Sequence, residues 1–223
     1  MRRDYLLALA VLSWCLLTPR GALAEDSFVD GQTWGLEIGL GGGWNDPNSA
    51  YTETLQTFGF AEDFGSTRFR FSAALEKILV RYFSVLLQTN FLGNSDWNRD
   101  SGIGPRDRFN WNTWTLDVHA RAFLPIGRSV RIYAQFGVGP TFTGTRLYVR
   151  TDLDGGQTRY KEIDVGYNLA GLGGAEVTSK HVGLFVQGGY FFAPSPKNRF
   201  GDRHQSGGGL ILAGLSAHFG RPQ

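Results

Sequence analysis

The triplet His204-Gln205-Ser206 is the strongest catalytic candidate in this sequence. A serine hydroxyl beside a histidine base is the nucleophile of many hydrolases, provided that an acidic side chain orients the histidine. No acidic residue follows Ser206, and Asp202 could take that role only in an unusual arrangement. The surrounding Gly-rich polar segment is typical of a flexible loop. We therefore expect no catalytic residue and no enzymatic activity.

Metal ligation is also poorly supported by the residues and their spacing. The four histidines are scattered along the chain without the spacing of a metal site. The acidic run Asp152-Leu-Asp154 is too short for a calcium loop. We expect no metal and no other cofactor.

Between Asn112 and Val138, charged and other polar residues alternate with apolar ones. Apolar residues occupy the even positions from Trp114 to Leu124 and again from Val130 to Val138, while Asp117 and other polar residues occupy the odd ones. A period of two predicts two strands, each with one apolar and one polar face. A strand of about eleven residues is long enough to cross a bilayer at a tilt. Because the polar face carries full charges, this hairpin does not fit a soluble sandwich core.

The same alternation recurs along the chain and predicts eight strands in all. They span residues 34–44, 67–77, 81–91, the hairpin with its second strand ending near Phe142, 163–177, 181–193 and 207–219. The connections near Ile78, Gly127 and Ser179 are short, and four others are long and polar: residues 45–66, 92–110, 143–162 and 194–206. Short turns at one end and long loops at the other are typical of transmembrane barrels. The predicted fold is all-β, a single eight-stranded antiparallel up-and-down transmembrane β-barrel with short periplasmic turns and four long extracellular loops.

The N-terminus predicts export from the cytoplasm. Arg2 and Arg3 precede an apolar run that is too short to span a membrane, and a small-x-small exit ends at Ala24. We expect a cleaved signal peptide at residues 1–24 and a barrel domain at 25–223. Cys15 lies behind the bulky Trp14, so cleavage after Ala24 is favoured over lipidation.

The net charge gives no reason to expect a nucleic-acid partner. The chain has 22 basic and 20 acidic residues, and removal of the predicted signal peptide leaves 19 of each. The apparent basicity therefore belongs to the targeting segment.

Three hairpins and the last strand resemble the barrels of the outer-membrane protein A-like and opacity-type families. The resemblance rests on the run from Phe123 to Gly139, with its proline-containing turn and Gly-x-Gly strand end, and on the segments 73–86, 173–185 and 212–219. It implies an integral protein of the outer membrane that contacts membrane lipid and lipopolysaccharide as a monomer. It also implies that the barrel-assembly machinery reads a C-terminal signal formed by Gly214, Ala217 and Phe219.

The lumen of such a barrel is the predicted site. A barrel of eight strands is just wide enough for its side chains to fill. The residues expected to form an inward charge network are Glu37, Arg68, Arg70, Glu76, Asp117, His119, Arg121, Arg131 and Glu176. Balanced charges favour a plug that fixes strand register, whereas a selective pore would show an excess of one sign. We expect no appreciable conductance.

Three function classes follow from this reading. The first is a structural or surface-interaction barrel, with Arg99, Arg106 or Arg108 of the loop 94–108 available for lipopolysaccharide phosphate. The second is a carrier of small hydrophobic molecules through a cavity lined by Phe185, Phe191, Leu210 and Leu212, where inward glycines such as Gly39, Gly41, Gly137 and Gly189 would leave space. The third is a lipid A-modifying hydrolase, because the His-x-Ser triplet faintly resembles that of outer-membrane deacylases. We expect the first.

Overall fold

The strands of this protein form one closed antiparallel ring. The computed structural model describes residues 34–45, 56–62, 69–80, 82–99, 107–127, 129–150, 157–179, 181–195, 204–205 and 207–219. The predicted signal peptide lies outside these residues. The long strands of the described part are β1 (Trp34–Asn45), β2 (Phe69–Val80), β3 (Phe83–Arg99), β4 (Asp107–Ile126), β5 (Val130–Arg150), β6 (Gln157–Ser179), β7 (Val182–Phe192) and β8 (Gly208–Phe219).

Each strand pairs with its neighbours in the sequence, and the last strand pairs with the first. Trp34 of β1 lies opposite Phe219 of β8, and this pairing continues to Asn45 opposite Gly208. The pairing of β3 with β4 joins the remaining edges. Among the described strands, every long strand is thus paired on both sides, as a sheet in lipid requires. The predicted up-and-down barrel is confirmed.

The two faces of the wall have opposite chemistry. Leu184 and Ile163 point outward and are 65% and 62% exposed, whereas Arg121 and Arg131 point inward and are 0% exposed. A soluble protein buries its apolar side chains and exposes its charges. Here the arrangement is reversed: the apolar rows face the surroundings and the charges face the interior. No helix among the described residues is long and apolar enough to cross a membrane.

Three connections at one end of the barrel, which we call the turn end, are tight. They join Val80 to Phe83, Ile126 to Val130 and Ser179 to Val182, where short turns are predicted. Gly127 in the middle turn has a φ of 65°, a left-handed conformation that glycine adopts without a steric penalty.

The strands at the opposite end, which we call the extended end, are longer than predicted. β3 runs to Arg99, β4 begins at Asp107, β5 runs to Arg150 and β6 begins at Gln157. The predicted loops 92–110 and 143–162 are therefore largely strand, and those bounds were wrong. Polar residues occur on both faces of these extensions, so the apolar alternation used to find strands stops before the strands do.

A bulge in β3 marks the point where the extension begins. The pairing of β3 with β4 shifts between Phe91 and Asn94, and Gly93 has a φ of 98°. Such a bulge adds a residue to one strand and exchanges the faces to which its residues point. Gln88 and Asn90 face inward below the bulge, and Trp97 faces inward above it.

A small aromatic core stabilises the extension. Trp97, Phe109 and Trp111 pack with Phe60, which comes from the connection between β1 and β2, and Leu147 packs against them. The two-residue strand Ala61–Glu62 pairs with β3 at Asn98 and Trp97. Nearby, Arg99 donates to Asp107 with its Nη2 at 2.5 Å and lies over the Phe60 ring at 5.1 Å. The connection after β1 is therefore folded onto the wall at this point.

Candidate functional site: a buried charge network in the lumen

Inward positions on five strands bring acidic and basic side chains together in the half of the barrel nearer the turn end. They are Glu37 on β1, Glu76 on β2, Arg121 on β4, Arg131 on β5 and Glu176 on β6. Each follows the period of two that turns its apolar neighbours outward, so the pleat itself directs the charges into the lumen. All five side chains are buried. We call these five residues the central network.

Arg121 connects opposite sides of the barrel. Its Nη1 donates to Glu37 Oε1 at 2.5 Å and its Nη2 to Glu37 Oε2 at 2.8 Å, which is a bidentate pair. Nη1 also lies 3.3 Å from Glu76 Oε1, and Nε donates to Gln135 Oε1 at 2.7 Å. The planar guanidinium is suited to this geometry because its donors form a fixed fork. β1, which carries Glu37, is thereby tied to β4 across the lumen.

Arg131 extends the network toward β6. Its Nη2 donates to Glu76 Oε2 at 2.9 Å and its Nη1 to Glu76 Oε1 at 3.2 Å, while Nε donates to Glu176 Oε2. The other oxygen of Glu176 accepts from Ser216 and from His218 Nε2, the latter at 2.6 Å. This last hydrogen bond requires a proton on Nε2 of the imidazole. β8 is thereby joined to the network.

The carboxylate of Glu76 is the shared centre of the network. It accepts from both arginines and from the Ser84 hydroxyl at 2.6 Å. Removing ions from water costs several kcal/mol each, so such groups persist in an interior only when they are paired and hydrogen-bonded. Three carboxylates, two guanidinium groups and His218 meet that condition here among the described residues.

Aromatic rings complete the surroundings of both arginines. Arg121 lies over the Tyr133 ring at 4.2 Å from its centroid, and Arg131 lies 5.3 Å from the centroid of Phe123. Phe123, Tyr133 and Ile78 form a buried cluster toward the turn end. A guanidinium packed over a desolvated ring gains further stabilisation.

Asp117 forms a second layer, nearer the extended end. Its carboxylate accepts from the Thr115 hydroxyl at 2.6 Å, from Asn90 at 3.0 Å and from Asn168 at 2.6 Å. His119 Nε2 lies 3.7 Å away, beyond hydrogen-bond distance. Neutral donors, rather than an arginine, therefore carry most of the stabilisation of this charge.

A chain of amides connects the two layers. Gln135, which receives a hydrogen bond from Arg121, donates to Gln88 at 3.0 Å. Gln88 in turn donates to Asn90 at 2.7 Å, and Asn90 reaches Asp117. Charged and amide groups thus form one continuous network from β1 to β8 across the lumen. An arrangement of this kind locks strands together.

Comparisons with known proteins find likeness in structure only. No protein-family model and no curated protein matches the sequence. Neisserial surface protein A is 11% identical with a TM-score of 0.49, over 83% of this chain and 97% of that one. Ail, the attachment invasion locus protein of Yersinia pestis, solved with the heparin analogue sucrose octasulfate, is 10% identical with a TM-score of 0.44, over 85% and 99%. The outer membrane protease OmpT from Escherichia coli is 12% identical with a TM-score of 0.41, over 84% and 97%.

The closed strand pairing and the inverted faces of this chain decide its fold. Within its described residues, the chain has the fold of an eight-stranded outer-membrane β-barrel. It is an integral protein of the outer membrane. The turn end is the periplasmic end and the extended end is the extracellular one, because such barrels have short periplasmic turns.

The predicted members of the lumen network that remain to be placed are Arg70 and Arg68. Arg70 is buried nearer the extracellular end, where its side chain lies over Gly43 of the neighbouring strand. Arg68 lies outside the described residues. The hydroxyl and imidazole groups that complete the network, on Ser84, Ser216 and His218, were not predicted as its members. Their inward strand positions were the available signal.

The space that a carrier would need beside its inward glycines is occupied by the protein's own side chains and backbone. A Cβ atom on Gly39 would meet the Phe185 ring, one on Gly137 the His119 ring, and ones on Gly41 and Gly189 the neighbouring backbone. These glycines therefore accommodate neighbouring groups, and the space is not free for a ligand. Leu210, Leu212 and Phe191 do meet in the lumen, but they are packed together with Leu92, Ala170 and Leu172.

Other predicted positions are found at the ends of the barrel. His204–Gln205 forms a short pairing with Pro194–Ser195, and Ser206 of the triplet lies outside the described residues. Phe219 is half exposed opposite Trp34, and Gly214 lies opposite Gly39. The role of Gly214, Ala217 and Phe219 in assembly stays a prediction.

Proposed function

We propose that this barrel is non-enzymatic, does not conduct ions, and anchors an extracellular surface through which it interacts with its surroundings. The continuous side-chain network is the observation that carries this proposal. Arg121 and Arg131 with Glu37, Glu76 and Glu176 are ion-paired across the lumen toward the turn end, where a solute would have to pass. Passage would require breaking several buried ion pairs together.

The extracellular extension supports the second half of the proposal. β3 to β6 have 17 to 23 residues each, whereas β7, β8, β1 and β2 have 11 or 12. One side of the barrel therefore rises above the other as a folded sheet, stabilised by the aromatic core around Trp97 and Trp111. A rigid, one-sided wall offers a defined surface to a partner, which flexible loops would not.

A trimmed variant tests the proposal in cells. In this variant the outer part of the β5–β6 hairpin, residues 146–161, is replaced by a two-residue turn. Three kinds of cell would be compared: cells producing the variant, cells producing the full chain and cells producing no barrel. The measurements are cell–cell aggregation and adhesion to glycan-coated surfaces. We expect the full chain to change adhesion and the trimmed variant to behave like the empty cells. Uptake of a small dye that depends on the barrel but not on the extension would contradict the proposal.

The hydrolase alternative has its own measurement. Mass spectrometry of lipid A from producing cells should show an acylation pattern identical to that of cells without the barrel. Loss of an acyl chain that is prevented by Ser206→Ala would establish an enzyme.

A further inference from the structure

The outer face of β4, β5 and β6 changes from apolar to basic at a defined height. Its upper lipid-facing row holds Trp114, Phe142 and Val165, which lie opposite one another in the ladder, and Phe91 of β3 continues the row beside Trp114. The rings of Phe91 and Trp114 are 4.9 Å apart. Aromatic rows of this kind mark the boundary between hydrocarbon and headgroups. Ile163, one outward position higher and 62% exposed, is the last apolar residue of β6 on this face.

Cations follow directly above Ile163 on the same face. The next set of paired outward positions holds Lys161, Arg146 and Asn110, and the one after it holds Arg159, Tyr148 and Arg108. Arg108, Arg159 and Lys161 are exposed, and the Arg159 guanidinium lies 5.4 Å from the centroid of the Tyr148 ring. We call Arg108, Arg146, Arg159 and Lys161 the basic patch.

The height of the basic patch matches the headgroup layer. Two residues advance a strand by about 7 Å, and a tilt of about 40° leaves about 5 Å of that rise along the membrane normal. On β6 itself, Lys161 then lies about 5 Å above Ile163 and Arg159 about 10 Å above it. The polar layer on each side of a bilayer extends about 5 to 8 Å beyond the hydrocarbon. Lys161 therefore lies within this layer and Arg159 at its outer edge, and Arg146 and Arg108 are paired to them across the neighbouring strands.

The acidic residues of β6 near the basic patch lie on the inward-facing side of the strand, so they do not oppose its charge. Asp164 of β6 points into the barrel and is 8% exposed, and Glu162 has the same strand parity. Asp96 of β3 pairs with Asn110 at one side of the patch. Among the described side chains of β4, β5 and β6 above the aromatic row, the outward charges are all positive.

We propose that the basic patch binds the phosphate groups of outer-leaflet glycolipid, with the acyl chains of the same molecule packed against the apolar row beneath it. Arginine binds phosphate with two parallel hydrogen bonds and lysine acts as a point charge, so the patch offers both modes. A lipid-anchored phosphate fits better than a soluble polyanion because the cations continue the lipid-facing rows of their own strands. The predicted arginines of the loop 94–108 are only partly involved: Arg108 belongs to the patch, Arg99 is paired with Asp107, and Arg106 lies outside the described residues.

The binding of purified lipid A tests this proposal. The full chain, folded in neutral detergent, would be titrated with bisphosphorylated lipid A and with its dephosphorylated form. The variant R146Q/R159Q/K161Q removes three cations, and R146K/R159K keeps the charge. Lys77→Gln is the matched control, since Lys77 is an outward cation near the opposite end of the barrel, 4.4 Å above the Trp34 ring.

We expect the parent chain to prefer the phosphorylated lipid. A cation near an anionic surface contributes about 1 kcal/mol, so the triple variant should bind about a hundredfold more weakly. R146K/R159K should lose less, Lys77→Gln should match the parent, and added salt should weaken binding by the parent. Equal binding of the two lipids by the parent chain would overturn the proposal without any variant. So would unchanged affinity of the triple variant, or binding of a free sulfated oligosaccharide as tightly as lipid A.

Discussion

At the scale of residues, Glu76 is the position on which the central network depends most. It accepts from Arg121, Arg131 and Ser84, and it is 0% exposed. Replacing one partner of a buried ion pair typically costs 3–5 kcal/mol because the other charge is left without compensation, so we expect about that loss from Glu76→Gln. Urea unfolding in lipid vesicles, followed by tryptophan fluorescence, measures it.

The control for this substitution is Lys161→Gln, at an exposed position on the outer face. Exposed charges contribute about 1 kcal/mol or less, so this variant should unfold like the parent in vesicles of neutral lipid. A loss of less than about 1 kcal/mol for Glu76→Gln would show that the network contributes little to stability.

Two glycines test whether the lumen is filled at the level of single atoms. A Cβ on Gly137 would collide with the His119 ring, whereas one on Gly171, on the outer face, has no atom within 4 Å. Overpacking costs about 1–3 kcal/mol, and we expect that loss of unfolding free energy for Gly137→Ala. Gly171→Ala should be neutral or slightly stabilising. Equal stability of the two variants would mean that His119 moves freely in an unfilled lumen.

The residues of the network were predictable, but their pairing was not. Strand parity alone places Glu37, Glu76, Arg121, Arg131 and Glu176 in the lumen. Parity does not say which residues meet across the barrel, because that depends on the stagger of every strand. Asp117 illustrates this: the sequence offers arginines for it, yet the structure surrounds it with Thr115, Asn90 and Asn168.

At the scale of elements, the extracellular extension is a folded unit with its own core. Phe60 is 8% exposed against Trp97, Phe109 and Trp111, whereas Phe58, two residues earlier, is 63% exposed. We expect Phe60→Ala to release the connection between β1 and β2, which limited proteolysis of the folded protein would detect as faster cleavage there. Phe58→Ala is the matched control and should be cleaved at the parental rate. Identical cleavage of both variants would show that Phe60 does not hold this connection.

The bounds of the strands show where prediction from sequence stops. The alternation of apolar and polar residues exists because one face meets lipid, so it ends where the wall leaves the membrane. The bulge at Gly93 also exchanges the two faces of β3, which breaks the pattern within a continuous strand. The strands of the membrane part and the tight turns were therefore predicted, and the extensions of β3 to β6 were assigned to loops.

At the scale of the whole molecule, the barrel combines an ion-paired interior with an asymmetric exterior. Salt bridges in the lumen join β1, β2, β4, β5 and β6, and Glu176 joins β8 through Ser216 and His218. The tall side of the wall carries both the aromatic core inside and the basic patch outside. The interior therefore accounts for stability, and the exterior offers the surfaces for interaction.

Single-channel recording in planar bilayers tests the sealed lumen most directly. Purified barrel, reconstituted in neutral lipid, should give no discrete conductance steps above those of protein-free vesicles, because ions crossing the lumen would have to separate the buried ion pairs of the central network. Steps of reproducible size in the parent protein, changed in amplitude by Arg121→Ala, would contradict a closed lumen and establish a pore along it.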